Sequence, residues 1–235
     1  MRILGIETSG EICGVAIVDG EGLVGELRFR HRMRLSERLL PGIEALREQV
    51  GISLGHLEGI AVSTGPGSFT GLRIGVTTAK TLAWALGVPV SGVGMLHALA
   101  AAVPAPAGAR ICVFLPVGSD SLAAACYARD ADVLVETRAP EVLAAGQIPG
   151  WVAGVEPPAC FVGLPASQRE SAREAMSDGA WFVDRPEAEP RPGVVTALGR
   201  KRLQAGHGDE VETLAPLYLR PSTAEARRRE ALERQ

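Results

Sequence analysis

Ile3-Leu4-Gly5-Ile6-Glu7-Thr8-Ser9-Gly10-Glu11, leading into Cys13-Gly14-Val15-Ala16-Ile17-Val18, is the stretch that sets the fold. Residues 2–7 read as a buried strand and 13–18 as a second, with Thr8-Ser9-Gly10-Glu11 turning between them. Asp19-Gly20-Glu21-Gly22 is a tight-turn sequence, after which residues 23–29 are again extended. Three short antiparallel strands therefore open the chain. The spacing of Leu39, Leu40, Ile43, Leu46 and Val50 then predicts a helix from about Ser36, capped by Ser36 and ended by Gly51. Residues 59–63 read as a strand, and a glycine-rich loop leads into a helix over about 70–86. Gly87-Val88-Pro89 stops that helix, 90–93 makes a further strand, and a helix near 95–102 completes a β-β-β-α-β-α-β-α order.

Pro104-Ala105-Pro106-Ala107-Gly108 has the composition of a hinge, and beyond it the pattern begins again. Residues 111–115 and 122–127 resemble strands. Between 140 and 193 only 159–162 and 181–183 read as extended, and 193–205 reads as a helix. This predicts lobe one over 1–103, a reduced lobe two over 104–206, and a C-terminal segment over 207–235. Leu217 and Leu219 alternate with Tyr218 in an extended register, which predicts that the segment returns to lobe one before a charged tail.

The 235 residues carry a formal net charge of −3 with ordinary hydrophobic content, 46%, so a stand-alone nucleic-acid binder is not indicated. Any RNA chemistry would then draw most of its phosphate contacts from a partner. Cys13, Cys112, Cys126 and Cys160 are scattered without a CxxC pair and read as small buried hydrophobes. The first residues enter a strand directly, without the apolar core of a signal peptide, and no apolar run is long enough to span a membrane, so a cytoplasmic protein is expected. The histidines His31, His56, His97 and His207 are far apart, with no HxxxH or HExxH pair, and no metal site is expected. No GxSxG elbow appears. Arg227-Arg228-Arg229 lies among Glu225, Glu230 and Glu233 and reads as a solvated tail.

Gly65-Pro66-Gly67-Ser68-Phe69-Thr70-Gly71-Leu72-Arg73-Ile74-Gly75 is the sharpest local feature. It is a strand-loop-helix junction in which Ser68 or Thr70 can cap the helix. It lacks the Gly-Lys-Ser/Thr ending of a P-loop and is not GxGxxG, so a rigid connector is favoured over a phosphate cradle. Gly71, Gly75 and Ala79 recur at four-residue spacing with Thr78 beside them. Glycine inside a helix costs roughly 0.5–1 kcal/mol relative to alanine, a cost that close approach of a neighbour would offset. That neighbour is either the lobe's own core or a partner helix.

The opening hairpin resembles the first phosphate hairpin of the actin/sugar-kinase/Hsp70 superfamily. Ser36-Glu37-Arg38-Leu39-Leu40-Pro41, the GPGSFTGLRIG loop, and Pro216-Leu217-Tyr218-Leu219-Arg220 with Ala224-Glu225 are together similar to the TsaB (YeaZ-like) family. The resemblance implies an α/β, two-lobed actin-like (ASKHA) fold with mixed sheets. It also implies an accessory, non-catalytic subunit that pairs with the catalytic paralogue TsaD. With the ATPase TsaE, that complex transfers threonylcarbamoyl to N6 of adenosine 37 in tRNA, and tRNA would be met through the complex. The expected partner face comprises Leu39, Leu40, Ile43, Leu46, Gly71, Arg73, Gly75, Thr78 and Ala79, on two helices that would serve a homodimer equally well. Glu7, Thr8, Ser9 and Ser68 are the weaker candidates for a cofactor site. No cofactor is expected, and the sequence does not support ATP or ADP binding. The chain departs from the family pattern at Glu7, where Asp is usual, at Leu35, where a His is common, and at Pro116-Val117-Gly118, in place of Asp-Ala-Arg. These losses weigh against catalysis. TsaD binds its metal through histidines on one helix, which this chain lacks. The alternative is an independent ATP-using enzyme of the sugar-kinase type, which would need Glu7, a second acidic group and adenine-binding glycines in lobe two.

Overall fold

The structure, a computed structural model, describes residues 1–118, 120–131, 133–176, 179–184 and 189–219. Strands β1 (Ile3–Glu7), β2 (Ile12–Val18) and β3 (Leu23–Arg30) form an antiparallel meander, with Ile3 opposite Val18 and Glu7 opposite Gly14. Strands β4 (Gly59–Gly65) and β5 (Val90–Gly94) add in parallel beside β1, giving the order β3-β2-β1-β4-β5. Every residue of β1 is buried, as a central strand covered on both faces requires.

Helices α1 (Leu35–Gln49) and α2 (Phe69–Leu86) cover one face. Leu4, Ile6, Val15 and Ile17 meet Leu35, Leu39, Ile43 and Leu46 of α1 and Val76, Ala79 and Ala83 of α2 there. Helix α1 starts one residue before the expected cap, and Ser36 does not cap it. Arg34 holds the cap position without a side-chain hydrogen bond, and Leu35 is drawn into the core. In α2 the cap is Ser68, whose Oγ accepts from the Gly71 N–H at 3.2 Å.

The second sheet repeats the first. Strand β6 (Arg110–Pro116) is central, β7 (Ser121–Asp130) and β8 (Val133–Ala144) continue antiparallel on one side, and β9 (Ala159–Val162) and β10 (Ala180–Val183) lie parallel on the other. Short helices α4 (Ile148–Ala153) and α5 (Ala166–Met176) occupy the places of α1 and α2. Sequence reading did not find β8, α4 or α5. Strand β8 is an edge strand whose residues are mostly exposed and include Glu136, Arg138 and Glu141, so no apolar alternation marks it.

The last helix of each half crosses over. Helix α3 (Met95–Ala102) follows the first sheet, yet Met95, Leu96 and Leu99 pack with Ile111, Val113 and Ala123 of the second. Helix α6 (Pro192–Gln204) follows the second sheet but lies flush on the first, with Thr196 over Gly5 and Gly199 over Ala61. A division at 103/104 and at 206 thus separates each of these helices from the sheet it covers. For α6 the physical reason is the small-residue match: a Cβ on Gly5 or Gly199 would overlap atoms already there.

Replacing Gly199 by Ala should raise intrinsic helix propensity by up to about 1 kcal/mol. It should nevertheless destabilise the protein by roughly 1–3 kcal/mol, because the new methyl overlaps Ala61 Cβ. Urea titration of the Gly199→Ala protein checks the sign, and a higher midpoint would refute the flush packing.

Candidate functional site

Glu7 ends β1 with its side chain fully buried. One carboxylate oxygen, Oε1, accepts from the Ser9 N–H at 2.6 Å and from the Ser9 hydroxyl at 2.5 Å, while Oε2 has no partner. Burial raises the Glu7 pKa above its ordinary value, opposed by the hydrogen bonds from Ser9 and Ser63. The neighbouring Cys13 thiol is pushed up to about 12 by burial and by the Glu7 charge.

The glycine loop closes over this hairpin. The Ser68 N–H donates to Ser9 O at 2.6 Å, and the Thr8 N–H donates to Ser63 Oγ at 3.3 Å. A Cβ on Gly67 would lie 2.5 Å from Ser9 O, and one on Gly71 or Gly75 would overlap Thr8 O or Thr8 Oγ1. The four weaker candidates, Glu7, Thr8, Ser9 and Ser68, are therefore brought together, but largely for one another. Glu7 is turned inward onto its own hairpin, and the Ser68 and Gly71 amides at the start of α2 are already bonded. In this arrangement Glu7 is directed at its own hairpin and not at a phosphate or metal. Ser9 and Ser68 also line a concavity of about 400 Å³ that opens between the lobes, together with Glu11, Arg30, Leu115 and Glu189.

The same contacts correct the helical ridge. Gly71, Gly75 and Ala79 are buried in lobe one, as are Leu39, Ile43 and Leu46, so the close neighbour of the glycines is Thr8 and not a foreign helix. Of the expected partner face, Leu40, Arg73 and Thr78 reach the surface, Leu40 with 56% exposure. With Ser36, Ile74 and Thr77 they border a groove of about 340 Å³ between α1 and α2.

Phe69 and Tyr218, which are not among the expected partner-face residues, fix one flank of this face. The Arg73 Nε–H donates to the Tyr218 hydroxyl at 3.0 Å, and its guanidinium lies 3.9 Å over the Phe69 ring. Tyr218 arrives with residues 207–219, which run beside lobe one. The Leu217 N–H donates to Thr64 O, and Lys80 Nζ donates to the carbonyls of Glu212 and Leu214. A tyrosine alternating with leucines was the available signal. Arg220, Ala224, Glu225 and the run Arg227–Arg229 lie outside the described residues. Among the described residues no three His, Cys, Asp or Glu side chains come together as metal ligands. His97 is half-buried and stacks on Tyr127, and all four cysteines are free and buried, with Cys112 Sγ 2.9 Å from Cys126 Sγ.

Residues 30–226, more than half of the chain, match the family model for TsaD: tRNA N6-adenosine threonylcarbamoyltransferase. The tRNA threonylcarbamoyladenosine biosynthesis protein TsaB of Bacillus subtilis is 29% identical over 97% of both chains, and its Escherichia coli counterpart is 36% identical over 43% of each. The chain belongs to the TsaB (YeaZ-like) family. Among solved structures, a Pseudomonas aeruginosa protein described as similar to peptidase YeaZ superposes with a TM-score of 0.78. It is 25% identical and covers 93% of this chain and 99% of its own. A ROK hexokinase from Thermus thermophilus, 12% identical with a TM-score of 0.54, covers 88% of this chain and 100% of its own. That second likeness is one of fold, and the two-lobed actin-like architecture is the one the sequence predicted. TsaB family membership makes this a protein of tRNA threonylcarbamoyladenosine biosynthesis.

Two outcomes test the hairpin. Gly75→Ala should cost roughly 1–3 kcal/mol, and about half of that or more should be recovered in a Thr8→Ala background, where Oγ1 no longer occupies the space. A double-mutant cycle by denaturant unfolding reads this coupling, and additivity would refute the contact. Because the folded state holds the Glu7 proton more tightly than the unfolded chain, Glu7 lowers stability as pH rises above the ordinary glutamate value of about 4.3. Glu7→Gln should remove that decline and raise the melting temperature at pH 8, as melting curves between pH 5 and 8 would record.

Proposed function

We propose that this chain is the non-catalytic accessory subunit that pairs with a TsaD-type catalytic paralogue for N6-threonylcarbamoylation of adenosine 37 in tRNA. The observation that carries the reading is the inward-turned Glu7 carboxylate beneath the glycine loop, which leaves the hairpin a structural clasp. A carboxylate serving phosphoryl transfer must face its metal or substrate. This one is bonded to Ser9, which disfavours an independent sugar-kinase-like activity. The reading places the chain in the cytoplasm with its tRNA; among the described residues no helix is long and apolar enough to cross a membrane. The ATPase TsaE would join the larger complex.

The partner face in this reading is the outer surface of α1 and α2, centred on Leu40, Ile74 and Thr78 with Arg73 at its flank. Arg73 is held in place by Phe69 and Tyr218, so its position is set before a partner arrives. A second copy of the chain would present the same face, so homodimer and heterodimer would compete for it.

Leu40→Asp should weaken assembly with TsaD by roughly 30-fold or more, about 2 kcal/mol for an apolar residue at the centre of a contact. Its melting temperature should stay unchanged, because Leu40 lies outside the core. Calorimetric titration of TsaD into each protein, with ATP turnover by the isolated chain followed in parallel, is the experiment. Unchanged affinity would move the interface elsewhere, and turnover by the isolated chain would defeat the non-catalytic reading.

A further inference from the structure

The chain is acidic overall, yet Arg28-Phe29-Arg30-His31-Arg32-Met33-Arg34-Leu35-Ser36-Glu37-Arg38 holds five arginines against one glutamate. This segment carries a formal +4 and the rest of the chain −7. It leaves the end of β3, turns at His31–Arg34 and enters α1. Arg30 and Arg34 are 61% and 63% exposed, and Arg32 and Arg38 are exposed as well. Their acidic neighbours offset them only in part. Glu11 stands 3.8 Å from Arg30, Glu37 pairs with Arg34, Arg38 donates to the Arg30 carbonyl, and Arg32 has no ion-pair partner among the described residues.

The turn that displays them is held open against local preference. The Arg34 N–H donates to His31 O at 2.9 Å, and the two central residues, Arg32 and Met33, have φ of 45° and 65°. Consecutive positive φ is what Asn-Gly or Gly-Gly ordinarily supplies, and side chains bearing a Cβ adopt it at a cost. Here burial does not offset that cost: Met33 is 91% exposed. The His31 ring nitrogen Nδ1, accepting from the Met33 N–H at 3.1 Å, and the Glu11 carbonyl, accepting from the His31 N–H at 3.3 Å, fix the turn to the opening hairpin.

We infer that Arg30, Arg32 and Arg34 form a contact for the phosphate backbone of RNA, the part of the transfer RNA surface that this subunit itself touches. The inference rests on the reading of the chain as a subunit of a tRNA-modifying complex. Arginine forks match phosphate oxygens, several are set on or beside one turn, and the exposed large apolar residues near them are Met33 and, further along α1, Leu40. An RNA backbone fits that surface better than an apolar protein contact. Sequence-independent contact of this kind carries affinity and orientation and leaves the choice of base to other parts of the complex.

The test compares the wild-type chain, Arg30→Gln/Arg32→Gln/Arg34→Gln, and the corresponding triple lysine variant, each assembled with TsaD. The probe is a transfer RNA transcript, and affinity is measured across a salt series. The glutamine variant should bind roughly tenfold or more weakly at low salt, and its slope of log affinity against log salt should be shallower by about 2, while the lysine variant keeps most of both. Equal affinity and slope in an intact complex would overturn the inference. So would loss of assembly with TsaD at unchanged RNA affinity per assembled complex, which would make the turn a protein contact. If the wild-type chain does not assemble with TsaD, the subunit reading fails on its own. The isolated chains then decide the patch: salt-sensitive RNA binding that only the glutamine variant loses supports it, and equal binding by all three overturns it.

Discussion

The seating of the loop 65–71 on the turn 8–11 is the contact on which the rest of the molecule depends. It is made through backbone: Ser68 N–H to Ser9 O, with Gly67, Gly71 and Gly75 allowing the start of α2 to press on Thr8 and Ser9. Backbone contacts of this kind permit only one angle between helix and sheet. That angle sets the groove between α1 and α2, and with it the direction in which Leu40 and Arg73 are presented. It also covers Glu7, so one contact orients an outer face and occupies the hairpin where chemistry would otherwise sit.

Burial of a carboxylate with one oxygen unpartnered is unfavourable, and an apolar residue of similar size would avoid the cost. The Ser9 hydrogen bonds show what the charge-bearing group does instead. They curl the side chain back over its own turn and hold Ser9 O where Ser68 can reach it. Glu7 thereby acts as an internal brace for the loop that α2 depends on.

Much of lobe one was legible because its signals are local. Apolar runs, the Asp19–Gly22 turn, the Leu39/Ile43/Leu46 stripe and the Gly87 stop each report one element, and the observed elements fall within a residue or two of them. The direction of the glycine ridge was not legible, since small residues at four-residue spacing admit a close neighbour without saying which one. Strand β8 was hidden for another reason: a mostly exposed edge strand carries charge where a buried strand carries an apolar pattern. The partners of α3 and α6 were equally invisible, because a helix's place in chain order does not reveal the sheet that its small residues fit. Leu35 gave no warning that a position often polar in the family is core here.

The exchange of α3 and α6 between halves bears on how the chain matures as it is synthesised. The face of the first sheet that holds Ile3 and Ala61 is covered by α6, so strands made first wait for a helix made nearly two hundred residues later. Until Leu203 has emerged, that face offers water an apolar surface with no local substitute. The first lobe therefore cannot be completed on its own as the chain leaves the ribosome. Its last layer is added late, when α6 closes over the sheet.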